Sequence, residues 1–373
     1  MGRGKRLTIR EVAAAAGVSA QTVSRVLNNR PDVAPETAQR VQLIIRETGY
    51  APNMLARGLT QGRSHVLGVV AYGLDYFGPS RVLTAIARQA AEFGYAIMLN
   101  LILDPVMGDV DSLIDTLCAR QVDGIIWAIP EMGANRAWLA NWINELPVPV
   151  ILVGGMEGRP DVPSIAIDNV QIGRLATDHL ISGGAKHVGI ITGPATWWEA
   201  EQRLVGWRLS LQAHGREIEE NLVIEGDWSV SSGEESLHRM VDRCPEIDAL
   251  FASNDQMALG VLHAAHMIGK RVPEDLSVVG VDNIAEASHF WPPLTTVDQP
   301  LGNSGELAVK EIVQLIKKSR QARRPVDAVP EMTLLKARLI VRESSRPVPA
   351  LDARVAESNE APFQRTVLEA RPV

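Results

Sequence analysis

The chain has 373 residues, of which 46% are hydrophobic, and this length is sufficient for two or three domains. No apolar run approaches the roughly 20 residues of a membrane-spanning helix, and no secretory signal follows the basic start, so we expect a cytoplasmic protein without a membrane partner. Residues 1–63 carry 10 Lys/Arg against 4 Asp/Glu, a net charge of +6, whereas the remainder carries 27 against 40, or −13. A basic head on an acidic body is typical of a nucleic-acid-binding module attached to another domain.

The first segment, residues 7–27 (LTIREVAAAAGVSAQTVSRVL), predicts two short helices joined by a tight turn. Thr8 and Glu11 have the spacing of a capping box, and Gly17 supplies the left-handed residue that ends the first helix. Ser19 can cap the second helix. The residues expected to face outward near its start are Ala20, Gln21, Thr22 and Arg25.

A second helix with this exposed start is the part of a helix-turn-helix that enters the DNA major groove. Gln offers a bidentate amide for adenine, and Arg offers a bidentate fork for guanine. The alternative is a solvated helical hairpin without a DNA role. The predicted DNA contacts in this head are Thr8, Ser19, Ala20, Gln21, Thr22, Ser24, Arg25 and Asn28.

A third helix starts at Pro35 and stops at Gly49, which gives an all-α head over residues 1–52. Residues 53–64 contain a short segment that would be marginal as an isolated helix and would form only against a partner. The functional interpretation is a hinge helix that wedges into the DNA minor groove beside its twin from a second subunit. The alternative is a plain interdomain linker. The hinge residues predicted to contact DNA are Asn53, Leu55, Ala56 and Leu59.

From His65 onward, continuous apolar strands alternate with amphipathic helices, which predicts parallel sheets covered on both faces. The fold class is therefore α/β, with two doubly wound lobes after the helical head. The predicted strands are 65–72, 96–103, 124–129, 148–153, 187–192, 222–225, 249–253, 277–281, 294–297 and 334–341. The predicted helices are 80–93, 110–120, 135–146, 170–182, 198–214, 232–241, 256–268 and 302–318. Residues 344–373 lose this periodicity and are expected to be a mobile tail.

Two polar residues of the body, Asn254 and Asp282, directly follow predicted strands, where open α/β sheets bind ligands. Together with Arg203 they offer planar donors and acceptors for adjacent hydroxyls, and Trp228 offers an aromatic face for a sugar ring. Each has an alternative role: Arg203 could pair with Glu199 on a solvated helix, and Trp228 could be a core residue. Asn254 could only cap a helix, and Asp282 could only form a turn.

Several runs together resemble the lactose/galactose repressor (LacI/GalR) family of bacterial transcription regulators over residues 7–343. The runs are GVSAQTVSRVLN at 17–28, EGDWS at 225–229, SNDQMALG at 253–260, LSVVGVD at 276–282 and PPLTTV at 292–297. The resemblance implies a homodimer on a pseudo-palindromic operator, and a body of periplasmic-binding-protein type with an effector in the cleft between its lobes. The implied effector-binding domain is 65–343, with one lobe of 65–167 plus 299–329 and the other of 168–298 plus 330–343.

The family pattern also implies roles for single residues. Gln21 and Arg25 match base-reading positions, Leu59 matches the hinge leucine inserted at the operator centre, and Arg203 matches the arginine that fixes effector hydroxyls. The implied effector contacts are Tyr76, Pro79, Ser80, Arg203, Trp228, Asn254, Asp282 and Gln299.

The chain departs from the pattern at several positions of the cleft. Gly154 and Gly155 stand at a strand end where a sugar-binding member of the family carries an aspartate, and Ile167 replaces an aromatic residue. Tyr72 and Tyr76 alter the first lobe's side of the pocket. Trp197 and Trp198 either line the cleft or pack within the lobe. Outside the cleft, Ala20 replaces an aromatic residue of the recognition helix. The tail has no leucine heptads, so a dimer is expected rather than a tetramer.

The preferred hypothesis is a sugar-responsive, operator-binding repressor that needs no cofactor or metal. One alternative is a sugar-binding protein of transport type, and another is a family regulator with a non-sugar effector. An α/β enzyme is not expected, because the sequence has no nucleophile elbow and no phosphate-binding loop. Its two cysteines, Cys118 and Cys244, form no metal pattern and are expected to be small buried residues.

Overall fold

The structure is a computed structural model, which divides into two compact units, residues 1–64 and 65–373. None of the helices in the described ranges has the length and apolar character needed to cross a membrane. The structure describes residues 7–27, 30–50, 63–103, 110–132, 146–155, 162–322, 332–348 and 363–366.

The head is a bundle of helices α1 (Ile9–Ala16), α2 (Ala20–Leu27) and α3 (Pro35–Thr48). The predicted capping box is confirmed: the Thr8 amide donates to Glu11 Oε2 over 2.6 Å, and the Glu11 amide donates to Thr8 Oγ1 over 3.3 Å. Gly17 ends α1 with φ of 64°, the left-handed conformation that glycine adopts without steric cost. A small apolar core holds the three helices together. Its buried residues are Val12, Ala13, Ala16, Val23, Val26 and Val41.

The body consists of strands and helices in near-regular alternation. The elements of its first half are β1 (Val66–Ala71), α4 (Phe77–Glu92), β2 (Ala96–Leu101), α5 (Val110–Ala119), β3 (Gly124–Ala128), β4 (Val150–Val153) and β5 (Ser164–Ile167). There follow α6 (Asn169–Ser182), β6 (Val188–Thr192), α7 (Trp198–Ala213), β7 (Val223–Glu225), α8 (Val230–Arg243), β8 (Ala249–Ala252), α9 (Asp255–Met267) and β9 (Ser277–Val281). The last elements are β10 (Thr295–Asp298), α10 (Leu301–Ala322), β11 (Met332–Leu335), β12 (Arg338–Ile340) and β13 (Phe363–Thr366). Short 3₁₀ helices lie at Glu220–Leu222 and Ala285–His289.

Two sheets form the two lobes, and the predicted α/β fold class is confirmed. The first sheet has the order β13-β11-β5-β4-β3-β1-β2, and the second has the order β12-β10-β9-β8-β6-β7. Strands pair in parallel except β13 with β11 and β12 with β10, which are antiparallel. Buried aliphatic side chains cover both faces of each sheet, as parallel sheets require.

Helix α4 begins at Phe77, three residues before its predicted start at Ser80. Pro79 lies in the first turn of this helix, where its missing N–H costs no intrahelical hydrogen bond. Helix α8 likewise begins early, because the Ser229 hydroxyl accepts the Ser232 amide at its start. The predicted helix at 135–146 falls almost entirely outside the described residues.

The predicted single strand at 334–341 is wrong, and so is the lobe boundary drawn before it. The segment is two strands in different sheets: β11 belongs to the first lobe and β12 to the second. Lys336 and Ala337 separate them. Lys336 Nζ donates to Asp168 Oδ2 over 2.7 Å, and the Ala337 amide donates to Gln171 Oε1 over 3.0 Å. These bonds fix the position where the chain passes from the first lobe to the second. Strand β5, which precedes α6, was not predicted.

The expectation that residues 344–373 form a mobile tail is wrong for the parts that the structure describes. Ser344 and Ser345 are buried in the second lobe. Ser344 Oγ donates to the Val278 carbonyl and accepts the Thr295 amide, and Ser345 Oγ lies 2.8 Å from His179 Nε2. Further on, β13 adds an antiparallel edge strand to the first sheet. Hydrogen bonding, rather than hydrophobic periodicity, fixes these segments.

Candidate functional site

The recognition surface predicted in the head begins at α2. The Ser19 hydroxyl accepts the Thr22 amide over 3.1 Å, which caps the helix at its exposed start. Gln21 and Arg25 are exposed one turn apart, and an Arg25 guanidinium nitrogen lies 3.4 Å from Asp32 Oδ2. Both partners are about half exposed, so this ion pair contributes little stability and leaves Arg25 able to exchange partners.

The other predicted DNA contacts, which lie in the head and in the hinge, divide into three groups. Thr8 is exposed but is engaged in the capping box, and Ser24 is half-buried. Ala20 was expected to face outward, but it is half-buried and packs against the head core. The remaining predicted contacts, Asn28, Asn53, Leu55, Ala56 and Leu59, lie outside the described residues.

A cavity of about 360 Å³ lies between the two lobes of the body, a size typical of small-molecule sites. Seven of the eight predicted effector contacts line it: Tyr76, Pro79, Arg203, Trp228, Asn254, Asp282 and Gln299. Ser80 is not among the lining residues. Its hydroxyl donates to the Phe77 carbonyl over 3.0 Å, because α4 begins before it and turns the side chain onto the helix backbone.

Arg203 is the central charge of the cavity. It projects from α7 and is only 5% exposed, so it does not lie on a solvated helix face paired with Glu199. Its Nε donates to Asn169 Oδ1 over 2.9 Å, and one terminal nitrogen donates to the Ser253 carbonyl. The other donates to Gln299 Oε1 over 3.3 Å. Because these groups fix its plane, the guanidinium is held rigidly for a bidentate partner.

Asp282 completes a hydrogen-bonded chain with Arg203. Gln299 Nε2 donates to Asp282 Oδ1 over 2.5 Å, so the amide links the two charged groups. Burial raises the pKa of the Asp282 carboxyl to about 6, although the Arg203 charge and the Gln299 hydrogen bond oppose this rise. Asp282 has φ of 113°, a conformation that non-glycine residues rarely adopt and that is found disproportionately at functional sites.

Asn254 both lines the cavity and caps α9. Its Oδ1 accepts the Met257 amide over 2.8 Å, and its Nδ2 donates to the Trp228 carbonyl over 2.9 Å. The two roles considered from the sequence therefore coexist. Asn254 holds the backbone of Trp228, which has φ of 72°, and so orients the aromatic wall of the cavity.

Aromatic rings from both lobes form that wall. Trp197 lies between Tyr76 and Trp228, with ring centroids 5.2 Å and 5.7 Å away in edge-to-face geometry. The Arg203 guanidinium lies 5.8 Å from the Trp228 ring. Trp228 also packs against the second lobe's core, so it is both a core residue and a cavity residue.

The two glycines at the end of β4 have a structural explanation. A Cβ built on Gly155 would lie 1.9 Å from the Trp198 ring, so the indole occupies the space that any side chain at 155 would need. Gly154 has φ of 121°, which also favours glycine. A side chain of the second lobe thus fills the space that a side chain at position 155 of the first lobe would need.

Sequence reasoning missed Glu199 as a residue of the cavity. It lines the cavity from the first turn of α7, and burial raises the pKa of its carboxyl to about 7. Glu131 raises this pKa further, whereas a backbone hydrogen bond and Arg203 lower it. The sequence signal was its position four residues before Arg203, which suggested only a surface ion pair.

Comparison with known proteins identifies the family. Residues 8–53 match the profile of "Bacterial regulatory proteins, lacI family", and residues 177–345 match that of a periplasmic binding protein-like domain. The chain is 33% identical to the HTH-type transcriptional regulator CelR of Thermobifida fusca, over 92% of this chain and 100% of that protein. The chain belongs to the lacI family.

Other relatives agree with this lacI-family assignment. The Escherichia coli lactose operon repressor is 31% identical, over 83% of this chain and 85% of that protein. The structure of the lac repressor dimer bound to operator and the anti-inducer ONPF matches with a TM-score of 0.79 and 29% identity, covering 92% of this chain and 100% of that chain. A CelR–cellobiose complex matches with a TM-score of 0.67 and 31% identity, covering 91% of this chain and 100% of that chain.

This lacI-family chain is accordingly a DNA-binding transcriptional regulator and not an enzyme. The helix-turn-helix lies in the lacI profile, and the cavity lies in the body that includes the binding-protein profile.

One further cluster of the lacI-family chain was not predicted. The ligand atoms of His187, Glu219 and Cys244 lie within 4.8 Å of one another at the edge of the second lobe. His187 Nδ1 and Glu219 Oε1 already pair over 3.0 Å, and burial raises the pKa of the Cys244 thiol. The three side chains lie together because His187 pairs with Glu219 and the uncharged Cys244 thiol lies beside this pair.

Proposed function

We propose that the protein represses carbohydrate-utilisation genes and that a sugar bound between the two lobes controls its affinity for operator DNA. The observation that carries this proposal is the cavity, in which the hydrogen-bonded chain of Arg203, Gln299 and Asp282 faces an aromatic wall. Sugars require planar donors and acceptors for neighbouring hydroxyls and an apolar surface for the C–H face of the ring. Both are present in one cavity.

The relatives support a sugar as the ligand class. One structural neighbour is a complex with cellobiose, and the relatives include the lactose operon repressor and the ribose operon repressor of Escherichia coli, the latter 30% identical. Residues of both lobes line the cavity, so a ligand bound there contacts both of them.

The DNA partner is a pseudo-palindromic operator bound by a homodimer. Two recognition helices would then lie in successive major grooves, with Gln21 and Arg25 reading bases. Residues 53–64 act as the hinge between the head of residues 1–52 and the body. The operator-bound dimer among the neighbours supports this arrangement. The protein acts in the cytoplasm, where bacterial operators are located.

Control of DNA binding follows from preferential binding of the sugar to one arrangement of the lobes. The lobes touch beside the cavity, where the Trp198 amide donates to the Glu131 carbonyl over 3.0 Å and Met132 forms an isolated bridge with Trp197. A ligand that contacts both lobes shifts the closure of the cleft. Coupling of this kind typically changes the free energy of DNA binding by about 1–3 kcal/mol.

A non-sugar effector is the second candidate. The observation that favours it is the first-lobe wall, where Trp198 covers Gly155 and Ile167 lines the cavity. These features reduce the polar contacts available from that lobe.

A thermal-shift screen with cellobiose, lactose and ribose separates the two candidates. We expect at least one sugar to raise the melting temperature of the wild-type protein but not of Arg203→Ala. The panel should include Arg208→Ala as a matched control, because Arg208 lies on the same helix but pairs with Glu220 at the surface. A shift in all three proteins would place the sugar outside this cavity, and no shift in any would favour the non-sugar effector.

A further inference from the structure

Glu199 reaches across the cleft from the second lobe to the first. It lies in the first turn of α7, and its Oε1 is 4.0 Å from the position of a Cβ built on Gly154. The carboxylate thus lies beside the end of β4, close to where a side chain at 154 would begin. The neighbouring Trp198 ring occupies the space beside Gly155 in the same way.

The second oxygen of this carboxylate has no partner within the described part of the chain. Glu199 Oε2 is buried but makes no hydrogen bond to a described residue. The hydrogen bonds of Arg203 go instead to Asn169, Ser253 and Gln299. Buried carboxylate oxygens are normally hydrogen-bonded, because leaving one unpaired costs more than an average hydrogen bond contributes.

Two other residues in the cavity wall have the same property. Trp228 Nε1 and Gln256 Oε1 are buried and make no hydrogen bond to described residues. The wall therefore offers one donor and two acceptors, counting Glu199 Oε2. This set matches a ligand with several hydroxyl groups, which can donate to the oxygens and accept from the indole N–H.

We propose that Glu199 contacts the effector directly, with Oε2 accepting a hydrogen bond from a sugar hydroxyl, and so supplies from the second lobe the acceptor that Gly154 and Gly155 cannot supply from the first. This inference rests on the proposed function, since it requires a polyhydroxylated ligand in the cavity.

The proposal predicts that ligand binding is linked to proton release. The pKa of the Glu199 carboxyl is raised to about 7 by burial and by Glu131, and Arg203 opposes this rise. A hydroxyl donates more strongly to an ionised carboxylate, so the bound ligand favours loss of the proton. Affinity should therefore rise as the pH increases through 7. The other charged residues that line the cavity are Asp75, Arg203, Asp227 and Asp282.

The test is isothermal titration calorimetry of the full chain with cellobiose, lactose and ribose at pH 6.5 and 8.0. Repeating each titration in two buffers of different ionisation enthalpy measures the protons released. The variants are Glu199→Gln, which keeps the shape of the side chain, and Glu199→Ala. The matched control is Glu201→Gln, because Glu201 is exposed in the same helical turn.

For the sugar that binds, we expect Glu199→Ala to lose about tenfold to a hundredfold in affinity at pH 8.0, the range for a hydrogen bond to a charged group. Wild type and Glu201→Gln should release protons on binding, and Glu199→Gln should release fewer. If both Glu199 variants keep the wild-type affinity and proton release while Arg203→Ala abolishes binding, this inference is overturned and the proposed function stands. Absence of binding by all three sugars would overturn both.

Discussion

The two walls of the cavity are built from different chemistry. The second lobe contributes most of the buried charge, through Arg203, Asp282 and Glu199. The first lobe contributes mainly apolar and aromatic side chains and the bare backbone of Gly154 and Gly155. The difference indicates that the second lobe recognises polar groups of a ligand, whereas the first lobe sets the shape of the space. Substitutions in the second-lobe wall should therefore mainly lower ligand affinity, whereas substitutions in the first-lobe wall should mainly change which ligand is preferred.

The largest expected effect is on the second-lobe wall. Arg203→Ala removes a buried charge that is held by three partners, and it leaves Asp282 and Glu199 without their cation. A hydrogen bond to a charged group contributes about 1.5–3 kcal/mol, and the guanidinium can donate more than one to a ligand. We expect at least a hundredfold loss of sugar affinity by calorimetry. A loss below tenfold would show that the polar wall is not where the ligand is recognised, and Arg208→Ala, at the surface of the same helix, serves as the control.

A smaller effect is expected on the first-lobe wall. Gly155→Ala places a Cβ 1.9 Å from the Trp198 ring, so the indole must move away from the end of β4. Overpacking of this kind costs about 1–3 kcal/mol. We expect a lower melting temperature and an altered ranking of cellobiose, lactose and ribose. The control is Gly302→Ala, where an added Cβ meets no atom within 4 Å. An unchanged ranking would mean that Trp198 does not shape the cavity.

The buried carboxyls of the second lobe should make the folded state less stable at alkaline pH. Burial raises the pKa of Asp255 to about 8, with a further rise from Asp282. A raised folded-state pKa means that the native protein holds a proton that the unfolded chain has lost. Stability is therefore greatest below the unfolded-chain pKa of about 4 and falls as the pH rises, by up to about 1.4 kcal/mol per pH unit for each group. The fall from each group ends once the pH passes its folded-state pKa, which is about 6 for Asp282, about 7 for Glu199 and about 8 for Asp255.

Urea unfolding at pH 6.0 and 8.5 measures this slope. Asp255→Asn should flatten this slope, because an amide does not titrate. The variant should still fold, because the amide can accept from the Ile284 amide and bond to the Thr296 hydroxyl. The exposed Asp242 on α8 offers the control variant Asp242→Asn, whose slope should equal that of wild type. A wild-type stability that increases over this range would contradict the assignment of neutral carboxyls.

The smallest effect is expected at Ser80, which the family resemblance implies to be a contact. Its hydroxyl bonds to the Phe77 carbonyl within α4. Ser80→Ala should leave sugar affinity within about twofold, and at most it should remove the net contribution of one hydrogen bond, about 0.5–1.5 kcal/mol of stability. A tenfold loss of affinity would place Ser80 back in the binding wall.

Features set by local sequence could be predicted, whereas features set by long-range packing could not. The Thr8–Glu11 capping box and the Gly17 helix end depend only on neighbouring residues, and both were predicted. Asn254 and Asp282 were found because they directly follow buried strands, and strand ends meet at one edge of a sheet.

The features that the sequence did not predict have a common physical cause: each depends on contacts between distant parts of the chain. Strands β11 and β12 contain four and three residues, so the two-residue crossing between them could not be distinguished from one continuous strand. Glu199 lies beside Gly154, which directly follows β4 and is more than 40 residues earlier in the chain. Only the folded structure shows that these two positions are close in space. Ser344 and Ser345 are held by hydroxyl hydrogen bonds, which leave no hydrophobic period in the sequence.

The most direct test of the account measures operator affinity with and without the bound sugar. An operator is first selected from a random DNA library by the full-length protein, and its binding is then followed by fluorescence anisotropy. The account predicts that a saturating sugar changes the operator Kd of wild type by about 5-fold to 150-fold, and leaves that of Arg203→Ala unchanged. A sugar that binds the wild-type cavity but leaves its operator Kd unchanged would contradict the account.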